Sequence, residues 1–226
     1  MRVARGVEQR EEFCARHGLD PSRPVVALLP GSRRKEFERI LPVMLDAAAL
    51  VLNEMPGAQF VIALASRRSP EEAATLIASH RDAETLAARV RVVRGETREA
   101  LAASDASAVC SGTATLEAAL TGTPLVVVYK ESALNWHTLG RLIEVEHYGL
   151  VNLIAGERVA PELMQQDFTG ASLARELLAL LDPARNARVR SLLHGAAVRL
   201  GEGGASLRAA DAVLRAVRSW KSAKSE

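Results

Sequence analysis

Five short apolar runs punctuate the first 130 residues: Val25–Leu29 (VVALL), Phe60–Leu64 (FVIAL), Val90–Val93, Ala106–Val109 and Leu125–Val128. Their β-branched content and turn-rich flanks predict strands buried on both sides. Between them lie longer Ala- and Leu-rich segments. In Glu36–Asn53 the apolar residues Phe37, Ile40, Leu41, Met44, Leu45 and Ala48 recur at helical spacing. Ser69, Pro70, Glu71 and Glu72 supply an N-cap, a first-turn proline and two first-turn acids, predicting a helix that runs to about Ala88. Thr97–Ala103 and Thr113–Leu120 read as two further helices, the second stopped by Gly122 before Pro124. An opening helix over Glu8–His17 is closed by Gly18.

Strand alternating with helix predicts a Rossmann-like parallel sheet with helices on both faces. Ligands of such sheets meet the carboxyl ends of the strands. After Leu150 the pattern changes. Asn152–Ala155 is read as a last short strand or a loop, and Glu162–Gln166, Ser172–Leu181, Ala184–Leu200 and Ser206–Trp220 as helices. The expected organisation is a connector over residues 1–24, a nucleotide-binding domain over 25–166 and a helical extension over 167–226.

Composition narrows the class. The chain has 226 residues, 48% hydrophobic and 25% charged, which suits one large soluble domain and excludes collagen-like, disulfide-scaffold and disordered chains. No apolar run approaches the roughly 18 residues of a spanning helix, and the charged first residues do not read as a secretory signal. Cys14 and Cys110, far apart, fit a reduced cytoplasmic setting. The net charge of +2 gives no reason to invoke nucleic acid. Charge is uneven, however: residues 170–226 hold ten Lys and Arg against five Asp and Glu, leaving −3 on the rest. Such a tail suits an anionic surface or a solvated helical face.

Two turns stand out as candidate chemistry. Pro30-Gly-Ser-Arg33 follows the first strand and precedes a helix. Gly31 permits close backbone approach, Ser32 lies beside it, and Arg33 offers a planar fork to phosphate. Cys110-Ser-Gly-Thr-Ala-Thr-Leu-Glu117 repeats that context. Ser111, Gly112 and Thr113 would present donors at a helix N-terminus, and Glu117 one turn on could accept from a ribose diol. A plain strand-to-helix turn and an ordinary helix cap remain the alternatives at this point. There is no Walker loop, no G-x-S-x-G elbow, no H-E-x-x-H and no C-x-x-C. The histidines lack ligand spacing, so no metal site is expected. Gly201–Gly204 follows no strand and is not read as a dinucleotide loop. Trp136, Leu139 and Ile143, with Leu142 beside them, form an apolar stripe on one helix face that suits either the core or contact with lipid or a partner.

LLPGSRRKE at 28–36, ASDASAVCSGTATLEAAL at 103–120, TPLVVVYK at 123–130 and GLVNLIAGERVAPELMQ at 149–165 together resemble the nucleotide-binding half of lipid-A-disaccharide synthases. The resemblance implies half of a GT-B architecture. It also implies an inverting hexosyl transfer without a cofactor or metal: 2,3-diacylglucosamine passes from UDP to 2,3-diacylglucosamine 1-phosphate, giving the β(1→6) disaccharide 1-phosphate and UDP. Gly31, Ser32, Arg33, Ser111, Gly112, Thr113, Glu117, Asn152 and Gln165 would line the donor pocket. The acceptor site and the catalytic aspartate would lie in an N-terminal domain that nothing before Val25 resembles, so this chain alone is expected to be inactive. The resemblance places the protein in the cytoplasm, peripheral on the inner face of the inner membrane. It leaves open a separately encoded N-terminal half and a homodimer. Another GT-B enzyme acting on a UDP-sugar, of 2-epimerase or N-acetylglucosaminyltransferase type, and a non-catalytic nucleotide-binding module are the alternatives. Val151 stands where the family usually shows proline.

Overall fold

The computed structural model describes residues 4–131, 146–201 and 204–223. Six strands form one parallel sheet: β1 (Val25–Leu29), β2 (Gln59–Leu64), β3 (Val90–Arg94), β4 (Ala106–Cys110), β5 (Leu125–Tyr129) and β6 (Glu162–Met164). Their order across the sheet is β3-β2-β1-β4-β5-β6. β1, β2 and β4 are buried along their whole length, which is why they read as unbroken apolar runs rather than alternating ones. Edge strand β3 is exposed at Arg94.

The helices are α1 (Ala4–His17), α2 (Arg34–Glu54), α3 (Pro70–Ala78), α4 (Ala83–Arg89), α5 (Thr97–Ala102), α6 (Ala114–Thr121), α7 (Leu150–Ala155), α8 (Gly170–Leu181), α9 (Pro183–Arg199) and α10 (Ala205–Ala223). α2 packs along α8, while α5, α6 and α9 pack together. Right-handed crossovers that step away from β1 and from β4 in opposite directions put these two groups on opposite faces. Gly170 marks the tightest approach of α8 to α2. A Cβ there would lie 2.6 Å from that of Asp46, so only glycine fits.

The predicted stops hold: Gly18 and Gly122 have φ of 62° and 71°. So does the Ser69 cap, which accepts the Glu71 N–H. Three expectations are corrected. The helix expected over 69–88 is two helices, α3 and α4. The His80 ring turns inward onto Asp46, Nε2 to Oδ1 3.2 Å, and its Nδ1 accepts the Asp82 N–H at 3.0 Å. That N–H would serve the Ala78 carbonyl if the helix continued. Glu162–Gln166 is not helical: residues 162–164 are β6, drawn out by the free edge of β5, with Gln165 N–H donating to the Tyr129 carbonyl at 2.9 Å. Asn152–Ala155 is neither strand nor loop but the body of α7, ended by Gly156 at φ 68°. The stripe of Trp136, Leu139, Leu142 and Ile143 lies outside the described residues.

The amino-terminal edge of the sheet is closed by polar staples. Both Asp105 oxygens accept from Arg10, at 2.9 and 3.0 Å, and Oδ2 also takes the Val25 N–H. Asn186 and Arg190 of α9 donate to the carbonyls of Asp105, Gly122 and Ser104. α1, β1, β4 and α9 are thereby locked at one end, and the carboxyl end stays open for chemistry. Among the described residues no helix is long and apolar enough to cross a membrane.

Candidate functional site

The order β3-β2-β1-β4-β5-β6 reverses direction between β1 and β4. Chains leaving these two neighbours diverge to opposite faces, so a crevice opens at their carboxyl ends. Leu29 and Val109 are register partners there, which brings the next residues of both strands side by side. A cavity of about 460 Å³ occupies the crevice. Gly31, Ser32 and Arg33 wall it from one turn, and Ser111, Gly112, Thr113 and Glu117 from the other. Seven of the nine expected site residues therefore share one space.

Each turn is built for a reason visible in its chain. Gly31 has φ 98°, and a Cβ there would sit 2.8 Å from Glu36 Oε2 and 3.1 Å from Cys110 Sγ. The turn can pass over the Glu36 carboxylate only because residue 31 has no side chain. Glu36, buried at the third position of α2, reaches back to the Arg33 N–H at 3.3 Å and to Arg33 Nη1 at 2.7 Å. This is the reciprocal half of a capping box. The bond to Glu36 pushes the Arg33 guanidinium above its ordinary value, so it stays charged. The Arg33 side chain is nonetheless 81% exposed, leaving its other donors to solvent or ligand.

Across the crevice, Gly112 has φ 153° and a Cβ there would meet nothing within 4 Å. Thr113 precedes α6 in helical geometry and its side chain caps none of the first-turn N–H groups. Gly112, Thr113 and Ala114 line the cavity, so the positive end of the helix dipole lies at its wall, the arrangement that favours an anion. Ser111 plays a different part from the one expected. Its hydroxyl donates to the Tyr148 carbonyl at 3.0 Å and its N–H to the Val128 carbonyl at 2.9 Å. It ties the turn to the segment that brings Leu150 into the wall.

Asn152 and Gln165 are placed elsewhere. Asn152 is fully buried. Its amide donates to the Ala160 carbonyl and Glu162 Oε1 and accepts the N–H groups of Val159 and Ala160, all at 2.8–3.0 Å. That is its whole hydrogen-bonding capacity. Glu162 in turn accepts the Tyr148 and Gly149 N–H groups. Asn152 thus fixes the segment that Ser111 grips, one step removed from the cavity. Gln165, at φ 52°, lines a second concavity of about 800 Å³ with Lys130, Arg158 and Phe168. Its Oε1 accepts the Glu131 N–H, and its buried Nε2 has no partner.

Sequence reasoning missed Glu36, Cys110, Thr97 and Leu150 as wall residues. Only Glu36 carried a signal, since it stands three residues after the cap position Arg33. Burial pushes the Cys110 thiol up to about 12, so it is a protonated wall residue and not a nucleophile. Among the described residues no cluster of His, Cys, Asp or Glu could hold a metal ion.

Residues 4–215 match the family model described as lipid-A-disaccharide synthetase. The chain belongs to that family. It is 43% identical over 206 residues to the lipid-A-disaccharide synthase of Geobacter metallireducens, covering 91% of this chain and 52% of that protein. A similar match, 43% over 209 residues, is found in Trichlorobacter lovleyi. The chain spans about half the length of the curated relatives it matches. Among solved structures it resembles sucrose-phosphate synthase of Thermosynechococcus elongatus, with a TM-score of 0.58 at 18% identity, over 94% of this chain and 49% of that one. Its α/β fold is thus shared with this enzyme and with the calicheamicin glycosyltransferase CalG4, which it resembles with a TM-score of 0.54 at 18% identity over 87% of this chain and 44% of that one.

Proposed function

We propose that this chain holds the donor nucleotide of a lipid-A-disaccharide synthase: the UDP of UDP-2,3-diacylglucosamine, the sugar of which passes to 2,3-diacylglucosamine 1-phosphate. One observation carries the reading. The Gly31–Arg33 turn and the uncapped start of α6 face each other across one cavity at the topological switch point. In this reading the diphosphate lies between the Arg33 guanidinium and the N–H groups of the Gly112–Ala114 turn. Glu117 accepts from the ribose hydroxyls. As the glycosidic bond breaks, negative charge grows on the UDP leaving group. Donors already aimed at that charge lower the barrier without reorganising. Glu36 is committed to Arg33, and Cys110 stays protonated, so neither is the base that activates the acceptor hydroxyl. That base and the acceptor site are assigned to a further domain.

The same reading puts the protein on the inner face of the inner membrane. α10 supports it: Leu207, Val213, Leu214, Val217 and Trp220 are exposed, in a tail rich in arginine and lysine. Sedimentation with anionic vesicles should carry the protein down at low salt, and retention unchanged in high salt would argue against the tail as the cause.

Calorimetry with UDP tests the donor site. Binding is expected, weakened about tenfold or more by Arg33→Ala, which removes a charge-assisted contact, and weakened by Glu117→Ala. No binding, or binding indifferent to both substitutions, would overturn the reading. A radiolabelled disaccharide assay should show turnover only when a polypeptide supplying the other half is added. Turnover by the chain alone would mean that it contains its own base.

A further inference from the structure

A carboxylate in the wall of an anion site is a liability that needs a reason. The ionisable carboxylates and guanidinium of the described cavity wall are Arg33, Glu36 and Glu117, so carboxylates outnumber the cation. Glu36 is the buried one, and it makes two bonds, both to Arg33: backbone N–H to Oε2 and Nη1 to Oε1. A guanidinium has five N–H donors in a rigid fork. Holding one nitrogen at its base leaves the far edge of the fork for phosphate, with its direction already set. Nothing else in the described wall anchors this exposed side chain.

We propose that Glu36 is a positioning residue for donor binding: beneath Gly31 its carboxylate fixes the Arg33 guanidinium in the orientation that meets the diphosphate. The proposal rests on the donor-site reading above. Glu36 touches no substrate; it acts through Arg33. Two effects oppose each other. Pinning spares the ligand the cost of ordering a long side chain, and the charge repels the phosphate. Pinning wins while Arg33 is present; when its guanidinium is gone, the amide oxygen of Glu36→Gln still accepts the backbone N–H of residue 33, so only the repulsion changes.

That reversal of sign is the test. UDP affinity is measured in the wild type, Glu36→Gln, Arg33→Ala and the double variant. Glu36→Gln is expected to weaken binding about threefold to tenfold, the size of ordering one flexible side chain. In the Arg33→Ala background the same change should leave affinity equal or higher. Glu36→Asp, which keeps the charge on a shorter arm, should weaken binding as Glu36→Gln does. Equal weakening in both backgrounds overturns the proposal, because the effect would then be collapse of the turn. Tighter binding by Glu36→Gln in the wild-type background overturns it too. Side-chain ¹⁵N spectra of the ligand-free protein give a readout independent of UDP. The Arg33 guanidinium should be ordered in the wild type and averaged in Glu36→Gln. If the wild type takes up no UDP, the donor-site reading fails on its own, and these spectra still decide: a guanidinium equally averaged in both proteins refutes the pinning.

Discussion

The two turn glycines separate folding from binding, and replacing each by alanine should reveal it. At Gly31 the new methyl would fall 2.8 Å from Glu36 Oε2 and 3.1 Å from Cys110 Sγ, at φ 98°. The left-handed backbone alone costs about 1–3 kcal/mol for a residue with a Cβ. The carboxylate must also move, which loosens its charge-assisted bonds to Arg33, worth about 1.5–3 kcal/mol between charged partners but discounted heavily because the Arg33 end is exposed. A loss of about 2–4 kcal/mol is expected from these terms. At Gly112 the backbone is also unfavourable, φ 153°, but the methyl meets nothing within 4 Å. Its stability cost should stay within the backbone strain alone, about 1–3 kcal/mol and below that of Gly31→Ala. That methyl projects into open space at a turn where a phosphate would approach the backbone, so UDP affinity should fall sharply. Urea unfolding and UDP calorimetry on both variants supply the comparison. Gly31→Ala as stable as the wild type, or Gly112→Ala with unchanged UDP affinity, would refute this reasoning.

Three further outcomes are expected. The Cys110 thiol is pushed from its ordinary 9.0 up to about 12. Below pH 9 both states keep the proton; above it only the unfolded chain loses it, so wild-type stability should fall about 1.4 kcal/mol further than that of Cys110→Ala between pH 8 and 10, and parallel curves in urea unfolding would exclude the effect. Asp105→Ala removes the acceptor of Arg10 and of the Val25 N–H at the closed edge. It should cost about 3 kcal/mol in chemical denaturation, with UDP affinity unchanged, and a loss of affinity in the folded variant would contradict the separation of the two edges. Asn152→Ala leaves the buried Ala160 N–H without its acceptor, while the Val159 N–H keeps the Glu157 carbonyl. A loss of about 1–3 kcal/mol is expected, and amide exchange should quicken at Ala160; unaltered protection there would show that Asn152 is not the keystone of its loop.

Much of this was legible in the chain because the determinants are local. VVALL, FVIAL and LVVV are buried on both faces and say so without a partner, and Gly18 and Gly122 mark stops through their own φ preference. The two turns that wall the cavity were legible for the same reason, each being a strand end, a glycine and a helix start in one short run. What was missed depends on distant residues. Glu162–Met164 became a strand because β5 offered an unpaired edge, and the 162 carboxylate was drawn to the Tyr148 and Gly149 N–H groups. No periodicity within three residues encodes that. The break after α3 depends on His80 finding Asp46, 34 positions away. Asn152 was expected at the donor pocket only through the resemblance of its sequence block. Only the three-dimensional arrangement reveals that Val159, Ala160 and Glu162 use all of its donors and acceptors.

The contrast between the two edges of the sheet is the physical argument for where function lies. At the amino-terminal edge Asp105, Asn186 and Arg190 answer backbone groups with side chains supplied by α9 and by the loop before β4. Polar groups satisfied inside the protein stabilise it and leave nothing for a ligand. At the carboxyl edge the chain withholds such partners. Thr113 does not cap α6, and Arg33 is tied at one nitrogen and otherwise open. A helix start left uncapped gives up about 1 kcal/mol of stability. That sacrifice becomes useful when a ligand carries the missing acceptors. Placing a carboxylate at that start, by Thr113→Asp, should stabilise the free protein through the helix dipole and, by repelling the diphosphate, weaken UDP binding together. A gain in stability with no loss of affinity would mean that the N–H groups of this turn are not where the diphosphate sits.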